Sequence, residues 1–200
     1  MLVLASASPR RRELLSEWGY DFKIIAAPVD EYMPEGINPE TGVQDLARRK
    51  ALSGLIAWQA QGGTAEDTVL GADTIVVLED NILGKPVDET EAFRMLQALG
   101  GKTHRVMTAI ALARAKDDAR QTEVETDVAM TEVTFRALTD NEINAYIATG
   151  ESMDKAAAYG IQGGAGKFVI QVSGSLTNVI GLPKEILANQ LAKRGIFPQK

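Results

Sequence analysis

The stretch Leu2-Val-Leu-Ala-Ser-Ala-Ser-Pro-Arg-Arg-Arg-Glu-Leu-Leu-Ser-Glu-Trp18 predicts a strand, a tight turn and a helix at the start of the chain. Its opening apolar run is long enough for a short buried strand and too short for any larger element. Ser8 before Pro9 is typical of a helix start, because serine serves as the N-cap and proline needs no hydrogen-bond partner in the first turn. Gly19 predicts the end of that helix.

Three consecutive arginines, Arg10 to Arg12, stand at this predicted helix start. The helix dipole favours anions at that end, so cations placed there oppose the local preference and indicate a bound anion. Backbone N–H groups and guanidinium groups together match phosphate best. The alternative is a solvated basic helix start that binds nothing. We predict a phosphate site here and count Ser8 among its substrate-binding residues.

Composition and charge narrow the classes of protein. A chain of 200 residues with 45% hydrophobic and 24% charged residues suits one large domain or two small lobes around a shared core. The formal net charge of -6 argues against a protein that coats nucleic acid, but leaves room for a small cationic pocket. The absence of cysteine fits a cytosolic protein, and no stretch reads as a signal peptide or membrane span. We expect a cytoplasmic protein with no nucleic-acid partner and no membrane partner.

The single histidine, His104, excludes two common kinds of site. A structural zinc site needs several cysteine or histidine ligands, and no second such residue is present. A Ser-His-Asp hydrolase needs a nucleophile elbow, and the chain has none. We therefore assign His104 a structural or surface role. Any divalent metal must bind oxygen ligands, which favours magnesium or manganese.

The segment Thr68–Leu78 predicts a buried strand with a carboxylate, Asp73, at its middle. Burying an unpaired carboxylate is costly, so such residues are nearly always paired, metal-bound or protonated. Asp73 is therefore a candidate site residue. The alternative is an aspartate that binds local backbone N–H groups at a kink beside Gly71.

Residues 43–61 show helical periodicity, with Lys50 on the apolar face and Arg48 and Arg49 directed away from it. A lysine on such a face either extends to the rim of the core or, beside a phosphate site, binds the ligand. The preceding loop, from Pro28 through Pro39, is predicted to be irregular because of its prolines.

The rest of the chain alternates predicted strands and helices, with turn or capping signals between them. Glu79-Asp80-Asn81 predicts a hairpin turn that brings Lys85 back beside the strand of Asp73. The other predicted elements are a strand at 21–27, helices at 88–99 and 139–149, strands at 104–115, 122–136 and 168–172, a charged turn at 116–118, and a final helix ending at Lys193.

Residues 160–166 contain four glycines and are followed by Lys167. The run imitates a phosphate-binding loop, but Ile161 stands where the Walker motif requires its first glycine and Phe168 where it requires Ser or Thr. What remains is a loop whose backbone can approach a ligand closely, with Gln162 as its one amide side chain.

Five motifs, in this order, resemble those of the Maf family: Ala5-Ser-Ala-Ser-Pro-Arg-Arg11, Gly71-Ala-Asp-Thr-Ile-Val76, Lys85-Pro86, Asp154-Lys-Ala-Ala-Ala-Tyr-Gly-Ile-Gln-Gly163 and Asn178-Val-Ile-Gly-Leu-Pro183. The resemblance covers essentially the whole chain. It implies an α/β fold of the ITPase type in a single domain, residues 1–200, with an elongated, twisted mixed sheet flanked by helices and two lobes around a central cleft. It further implies a cytoplasmic, usually dimeric nucleoside triphosphate pyrophosphatase that cleaves between the α- and β-phosphates with a divalent metal. The family is also linked to septum formation and cell division arrest.

The resemblance implies roles for individual residues. Asp73 matches the family's catalytic acid and Lys85 the lysine after the hairpin, which we expect to take part in catalysis. Glu31 matches an acidic residue that, with Asp73, would hold Mg²⁺ or Mn²⁺. Arg11 and Lys50 match cations on the phosphate side of the substrate.

Three further positions, Arg10, Thr74 and Gln162, match those associated with the choice of base. The family branch with glutamine at the position of Gln162 acts on dTTP and UTP, and the branch with glutamate acts on 7-methyl-GTP. A glutamine amide donates and accepts, which complements N3–H and O4 of uracil or thymine, whereas a carboxylate only accepts. Gln162 and Arg10 therefore favour the pyrimidine branch. The alternatives are a 7-methyl-GTP pyrophosphatase and a non-enzymatic, nucleotide-binding regulator of septum formation.

Two positions depart from the family pattern. Ala157 stands where a glycine is usual, which we expect to tighten the loop without touching a ligand. Lys184 stands where an apolar residue is usual, which we expect to be surface variation. The resulting picture is one cleft in which the first-turn cations, Asp73 and Gln162 converge on a pyrimidine triphosphate.

Overall fold

The structure, a computed structural model, describes residues 1–26, 28–116 and 121–199. Strands and helices alternate along most of the chain. In chain order they are β1 (Leu2–Leu4), α1 (Pro9–Glu17), β2 (Phe22–Ile24), α2 (Pro39–Ala60), β3 (Thr68–Leu78), β4 (Asn81–Leu83), α3 (Glu89–Leu99), β5 (Thr103–Ala115), β6 (Thr122–Phe135), α4 (Asp140–Ile147), β7 (Val169–Ser173), α5 (Leu176–Ile180) and α6 (Lys184–Ala192). Two short 3₁₀ segments, Ala156–Ala158 and Gly164–Phe168, lie between α4 and β7.

One mixed sheet of seven strands contains every described strand. Its order is β2-β1-β3-β5-β6-β7, and β4 pairs with β3 off this path. β1 pairs in parallel with both β2 and β3, whereas β4 and β7 run antiparallel to β3 and β6. Parallel neighbours need a crossover, which α1 and α2 supply. The expected mixed sheet flanked by helices is confirmed.

The chain divides into two compact units. The first unit consists of Met1–Asp73, Thr108–Ala129 and Gly181–Lys200, and the second unit of Thr74–Met107 and Met130–Ile180. β3, β5 and β6 contribute residues to both units. No helix in the described ranges is both long enough and apolar enough to cross a lipid bilayer.

In the first unit, the core forms between β1, the start of β3 and one face of α2. All three residues of β1 are buried, as expected for a strand with a neighbour on each side. The apolar positions of α2 recur at helical spacing and are buried on one side, among them Val43, Leu46, Ala51 and Leu55.

The start of α2 differs from the prediction. The helix begins at Pro39 rather than at Val43, because Pro39 occupies the first turn, where its missing N–H costs nothing. Asn38 is the N-cap, and its side chain accepts hydrogen bonds from the backbone N–H of Glu40 and Thr41. The proline therefore starts the helix instead of excluding it.

In the second unit, aromatic rings fill much of the core. Phe135, Tyr146, Tyr159 and Phe168 are buried and meet edge to face, with ring centroids 4.9 to 6.0 Å apart. Such edge-to-face pairs are the favoured geometry of aromatic rings. They pack against the apolar side of α3 and α4.

The remaining element predictions are largely confirmed. The buried strand at 68–78 and the hairpin after it form as expected, and α4 begins with a complete capping box between Thr139 and Glu142. The strand predicted at 21–27 is limited to Phe22–Ile24, and Ala27 lies outside the described residues. Asp117 and Asp118, which belong to the predicted charged turn, also lie outside them.

Candidate active site

Asp73 forms the centre of a charged group in the first unit. Its side chain is 12% exposed, and its carboxylate lies 2.5 Å from the ammonium group of Lys50. The same ammonium group lies 2.7 Å from Glu31 Oε1. One lysine thus bridges two carboxylates, and this pairing, rather than a kink at Gly71, accounts for an aspartate inside an apolar strand.

The position of Lys50 depends on close contact between α2 and β3. A Cβ atom added at Gly71 would lie 2.4 Å from the backbone nitrogen of Ala51 and 2.5 Å from the carbonyl oxygen of Ala47. Only glycine therefore lets the helix backbone approach the strand this closely. Lys50, which precedes Ala51, then reaches Asp73 two residues further along the strand.

Arg49 holds the loop that carries Glu31. Its guanidinium group donates to the carbonyl oxygen of Asp30, to that of Tyr32 at 2.7 Å, and to Asp45 Oδ2 at 2.9 Å. The two carbonyl groups flank Glu31, so Arg49 orients the acidic residue without touching it. Sequence reasoning missed this role, since it assigned Arg49 only to the outer side of the helix. The only sequence signal is that Arg49 stands four residues after Asp45. This spacing predicts an ion pair on the helix surface and not a contact with the loop.

Arg11 is held next to this group from α1. Its Nε donates to the carbonyl oxygen of Gly181 at 3.0 Å, and Nη1 donates to Ser6 Oγ at 3.3 Å. Burial lowers the pKa of the Arg11 guanidinium; the charge of Asp73 opposes that shift, Arg10 adds to it, and Glu31 opposes it. Arg11 therefore lies within electrostatic range of both carboxylates.

Gly181 has a role that its motif did not reveal. Its φ of 130° lies in a region that residues with a side chain avoid, and its carbonyl oxygen accepts the hydrogen bond from Arg11 Nε. The motif around Gly181 thus orients the guanidinium group of Arg11 through the main chain.

Ser8 and Arg10 occupy the helix start as expected. Ser8 is the N-cap residue of α1, and its backbone N–H donates to Ser6 Oγ at 3.2 Å. Its side chain makes no capping hydrogen bond within the described helix. Arg10 is partly exposed. Their predicted contacts with a substrate stay predictions.

Thr74, Lys85 and Gln162 belong to the second unit. Thr74 is partly buried in β3, Lys85 is exposed after β4, and Gln162 is exposed in the glycine-rich loop. The backbone N–H of Ala157 donates to the carbonyl oxygen of Gly84 at 2.9 Å, which ties the 3₁₀ segment Ala156–Ala158, just before the glycine-rich loop, to the residue before Lys85. The convergence of these residues with Asp73 on one cleft stays a prediction.

A divalent metal fits the chemistry of the charged group around Asp73 in the first unit. No cluster of three or more His, Asp or Glu side chains able to hold a metal occurs within the described ranges. Glu31 and Asp73, however, converge on one cationic atom, and two carboxylates are what Mg²⁺ takes from a protein when phosphate oxygens supply further ligands.

His104 is buried, so the surface alternative for it is wrong. The ring is 1% exposed and shares a 2.8 Å hydrogen bond with the hydroxyl of Tyr159. Its Nδ1 has no hydrogen-bond partner among the described residues. The structural role expected for His104 fits this position.

Comparison with known proteins places these residues in a family. A family description, Maf-like protein, matches residues 1–194. A dTTP/UTP pyrophosphatase of Desulfitobacterium hafniense (strain Y51) is 54% identical over 196 residues, covering 98% of this chain and 86% of the relative. A dTTP/UTP pyrophosphatase of Shewanella sp. (strain MR-7) is 48% identical over 200 residues, covering 98% of each chain. One of Thermococcus onnurineus (strain NA1) is 46% identical over 187 residues, covering 94% of each.

A match over nearly the full length, together with relatives close to half identical, confirms what the five sequence motifs predicted: the chain belongs to the Maf family.

Proposed function

We propose that this protein hydrolyses dTTP and UTP to the nucleoside monophosphate and pyrophosphate. The observation that carries the proposal is the group of Asp73, Glu31, Lys50 and Arg11 in the first unit, where a buried acid, an exposed acid and cations suited to a triphosphate lie together. The names of the relatives supply the substrate class.

The reaction is an in-line displacement at the α-phosphorus. The oxygen of water forms a bond to that phosphorus, the bond to the oxygen bridging the α- and β-phosphates breaks, and pyrophosphate leaves with the electron pair. In such reactions positioning and charge stabilisation supply most of the rate gain.

We assign the chemical roles as follows. Asp73 orients the attacking water and accepts its proton, because it is the buried one of the two carboxylates that Lys50 contacts. Lys50 and Arg11 stabilise negative charge on the phosphates, Ser8 binds phosphate at the helix start, and Lys85 stabilises the pyrophosphate that leaves.

Glu31 and Asp73 would together hold Mg²⁺ or Mn²⁺. When bound, the metal supplies neutralisation of charge on the triphosphate. Lys50 holds the two carboxylates close to each other, and this supports the assignment.

Base selection is assigned to Gln162, with Arg10 and Thr74. The amide of Gln162 offers one donor and one acceptor to the O4 and N3–H groups of uracil or thymine. Its exposure in the glycine-rich loop leaves the amide accessible to a base.

A substrate panel tests the proposal. Purified protein is given UTP, dTTP, CTP, GTP and 7-methyl-GTP, with and without Mg²⁺ or Mn²⁺, and pyrophosphate release is measured. We expect release from UTP and dTTP and a requirement for metal. Preference for 7-methyl-GTP would support that alternative, and nucleotide binding without release would support a non-enzymatic regulator.

We also propose a single functional domain over residues 1–200, a homodimer, a cytoplasmic location and a link to septum formation. The family resemblance supports all four. Sedimentation equilibrium tests the dimer, and expression of the Asp73→Asn variant in dividing cells tests whether an effect on septation depends on catalysis.

A further inference from the structure

The glycine-rich loop is anchored on both sides of Gln162. On one side Tyr159 is 6% exposed, and the backbone N–H of Gly160 donates to the hydroxyl of Tyr146 at 3.3 Å. On the other side the backbone N–H of Gly164 donates to Glu151 Oε2 at 2.9 Å. Only a short tip, centred on Gln162, stands out between these anchors.

The Tyr159 anchor depends on a buried polar pair. His104 Nε2 and the hydroxyl of Tyr159 are 2.8 Å apart, and both rings meet Phe135 edge to face at 5.0 and 4.9 Å. Phenylalanines at both positions would fill similar space without burying polar atoms. A hydrogen bond between two rings in an aromatic core fixes the position of the Tyr159 ring. Apolar packing alone would leave that position adjustable.

The His104 ring is neutral at neutral pH. Burial lowers the pKa of His104 to about 4 and raises the pKa of Tyr159. The hydrogen bond between His104 and Tyr159 therefore joins two uncharged groups and does not change with moderate shifts of pH. A residue that holds the loop in one position needs this constancy.

We propose that His104, acting through Tyr159, positions the loop that carries Gln162 and thereby sets the discrimination between uracil and cytosine bases. His104 is a positioning residue, since its ring lies in the core and has no access to substrate. The inference rests on the proposed function, because the proposed function assigns recognition of the base to Gln162.

Uracil and cytosine are the sharpest pair for the test. At C4 uracil carries an acceptor and cytosine a donor, and at N3 uracil carries a donor and cytosine an acceptor. An amide held in one orientation distinguishes these two patterns, whereas an amide free to flip matches either. A small displacement of Gln162 weakens the contact with uracil but leaves the triphosphate contacts unchanged. The ratio of kcat/KM for UTP to that for CTP therefore reports the position of the loop.

The test compares His104→Phe, Tyr159→Phe and the double variant. Each single variant leaves one buried polar group without its partner, so we expect lower stability and a fall of about tenfold in the UTP-to-CTP ratio, with kcat for UTP within about threefold of wild type. In the double variant both polar groups are gone, so stability should recover while the ratio stays low.

Two further variants complete the design. His104→Gln places an amide nitrogen near the position of Nε2 and should keep the ratio. Thr134→Val is the control, because it breaks a hydrogen bond of the same length as that between His104 and Tyr159. The hydroxyl groups of Thr103 and Thr134 are 2.8 Å apart and lie on the exposed side of β5 and β6. This variant should leave the ratio unchanged.

The outcomes separate the inference from the proposed function. If wild type releases no pyrophosphate from UTP, the proposed function and this inference both fall. If wild type is active but the ratio follows stability and recovers in the double variant, the role of His104 is structural only and the inference alone falls. Circular dichroism confirms that each variant is folded.

Discussion

Lys50 contacts two carboxylates with one ammonium group. Lys50 and Asp73 are both largely buried, so removing either charge leaves the other poorly compensated, whereas Glu31 is half-exposed. A lysine with this environment is more than a solvated side chain at the rim of the core.

Asp73→Asn should reduce pyrophosphate release by about a thousandfold, because an amide cannot accept the proton of water. Binding of dTTP, measured by calorimetry, should persist, since Lys50 and Arg11 remain. Glu125→Gln is the control, because it removes a carboxylate paired with Arg194 at 2.9 Å elsewhere in the first unit. Turnover close to wild type in Asp73→Asn would remove Asp73 from the chemistry.

Arg49→Ala should raise KM for UTP about tenfold, because the loop carrying Glu31 loses both carbonyl contacts with the guanidinium group. Arg48→Ala is the matched control, since Arg48 is the exposed neighbour on the same helix and carries the same charge. Steady-state kinetics on the two variants measures the difference. Equal effects would mean that only the net charge of α2 matters.

The contact between α2 and β3 is the decisive feature at the scale of elements. The helix lies so close to the strand that no side chain fits at Gly71, and the atoms that a side chain would meet belong to the helix backbone. Backbone atoms cannot rotate away as a flexible side chain can. The spacing of the two elements is thus set by the absence of one methyl group.

Gly71→Ala should lower the free energy of unfolding by about 1–3 kcal/mol, through overpacking. It should also reduce activity by about tenfold, because the helix must move away and separate Lys50 from Asp73. Urea unfolding and kinetics measure the two effects. Gly100→Ala is the control, since the nearest atom to an added Cβ there is at an ordinary 3.4 Å; the two variants should not behave alike.

The loop with Ala157 carries backbone strain that the family's usual glycine avoids. Ala157 is fully buried with φ 55°, the left-handed region, where an alanine costs about 1–2 kcal/mol. The sequence expectation was only a tighter loop, and the structure identifies the physical reason for the glycine.

Ala157→Gly should be more stable than Ala156→Gly by about 1–2 kcal/mol. Both variants lose a methyl group and gain the same backbone freedom in the unfolded chain, and the methyl group of Ala157 is the more deeply buried. Any extra stability of Ala157→Gly therefore reports relief of the left-handed strain. Ala156 has a negative φ, which makes it the matched position. Thermal unfolding of the two variants measures this difference. Equal stabilities would mean that Ala157 carries no backbone strain in the folded protein.

At the scale of the whole molecule, the single histidine makes stability depend on pH. Folded His104 has a pKa of about 4, against 6.5 for an exposed histidine. Between these values the unfolded chain binds a proton that the folded chain does not, so the free energy of unfolding falls as the pH falls from about 6.5 to about 4.

Between pH 7 and pH 5 the wild type should lose about 2 kcal/mol more unfolding free energy than His104→Gln. The variant lacks the titrating ring and keeps every other ionisable group, so the contributions of those groups cancel in the comparison. Urea unfolding followed by circular dichroism at both pH values gives the comparison. An equal loss in the two proteins would contradict a buried, neutral histidine.

Local patterns in the sequence were sufficient for most elements and for the family. The apolar run before Ser8-Pro9, the periodicity of α2 and the capping box at Thr139 are short-range signals, and all three predicted elements form. The start of α2 was misplaced because a proline can either exclude a helix or occupy its first turn, and only the cap at Asn38 decides between these.

The sequence by itself determined the α/β class, the Maf family and the identity of the charged residues, because these follow from periodicity, turn chemistry and residue type. Only the tertiary structure decided that Lys50 bridges Asp73 and Glu31, that Arg49 and Gly181 orient their neighbours, and that His104 is buried against Tyr159. The physical reason is that these contacts join residues far apart in the chain. Their distances depend on how closely a helix packs on a strand, and no local pattern contains that information.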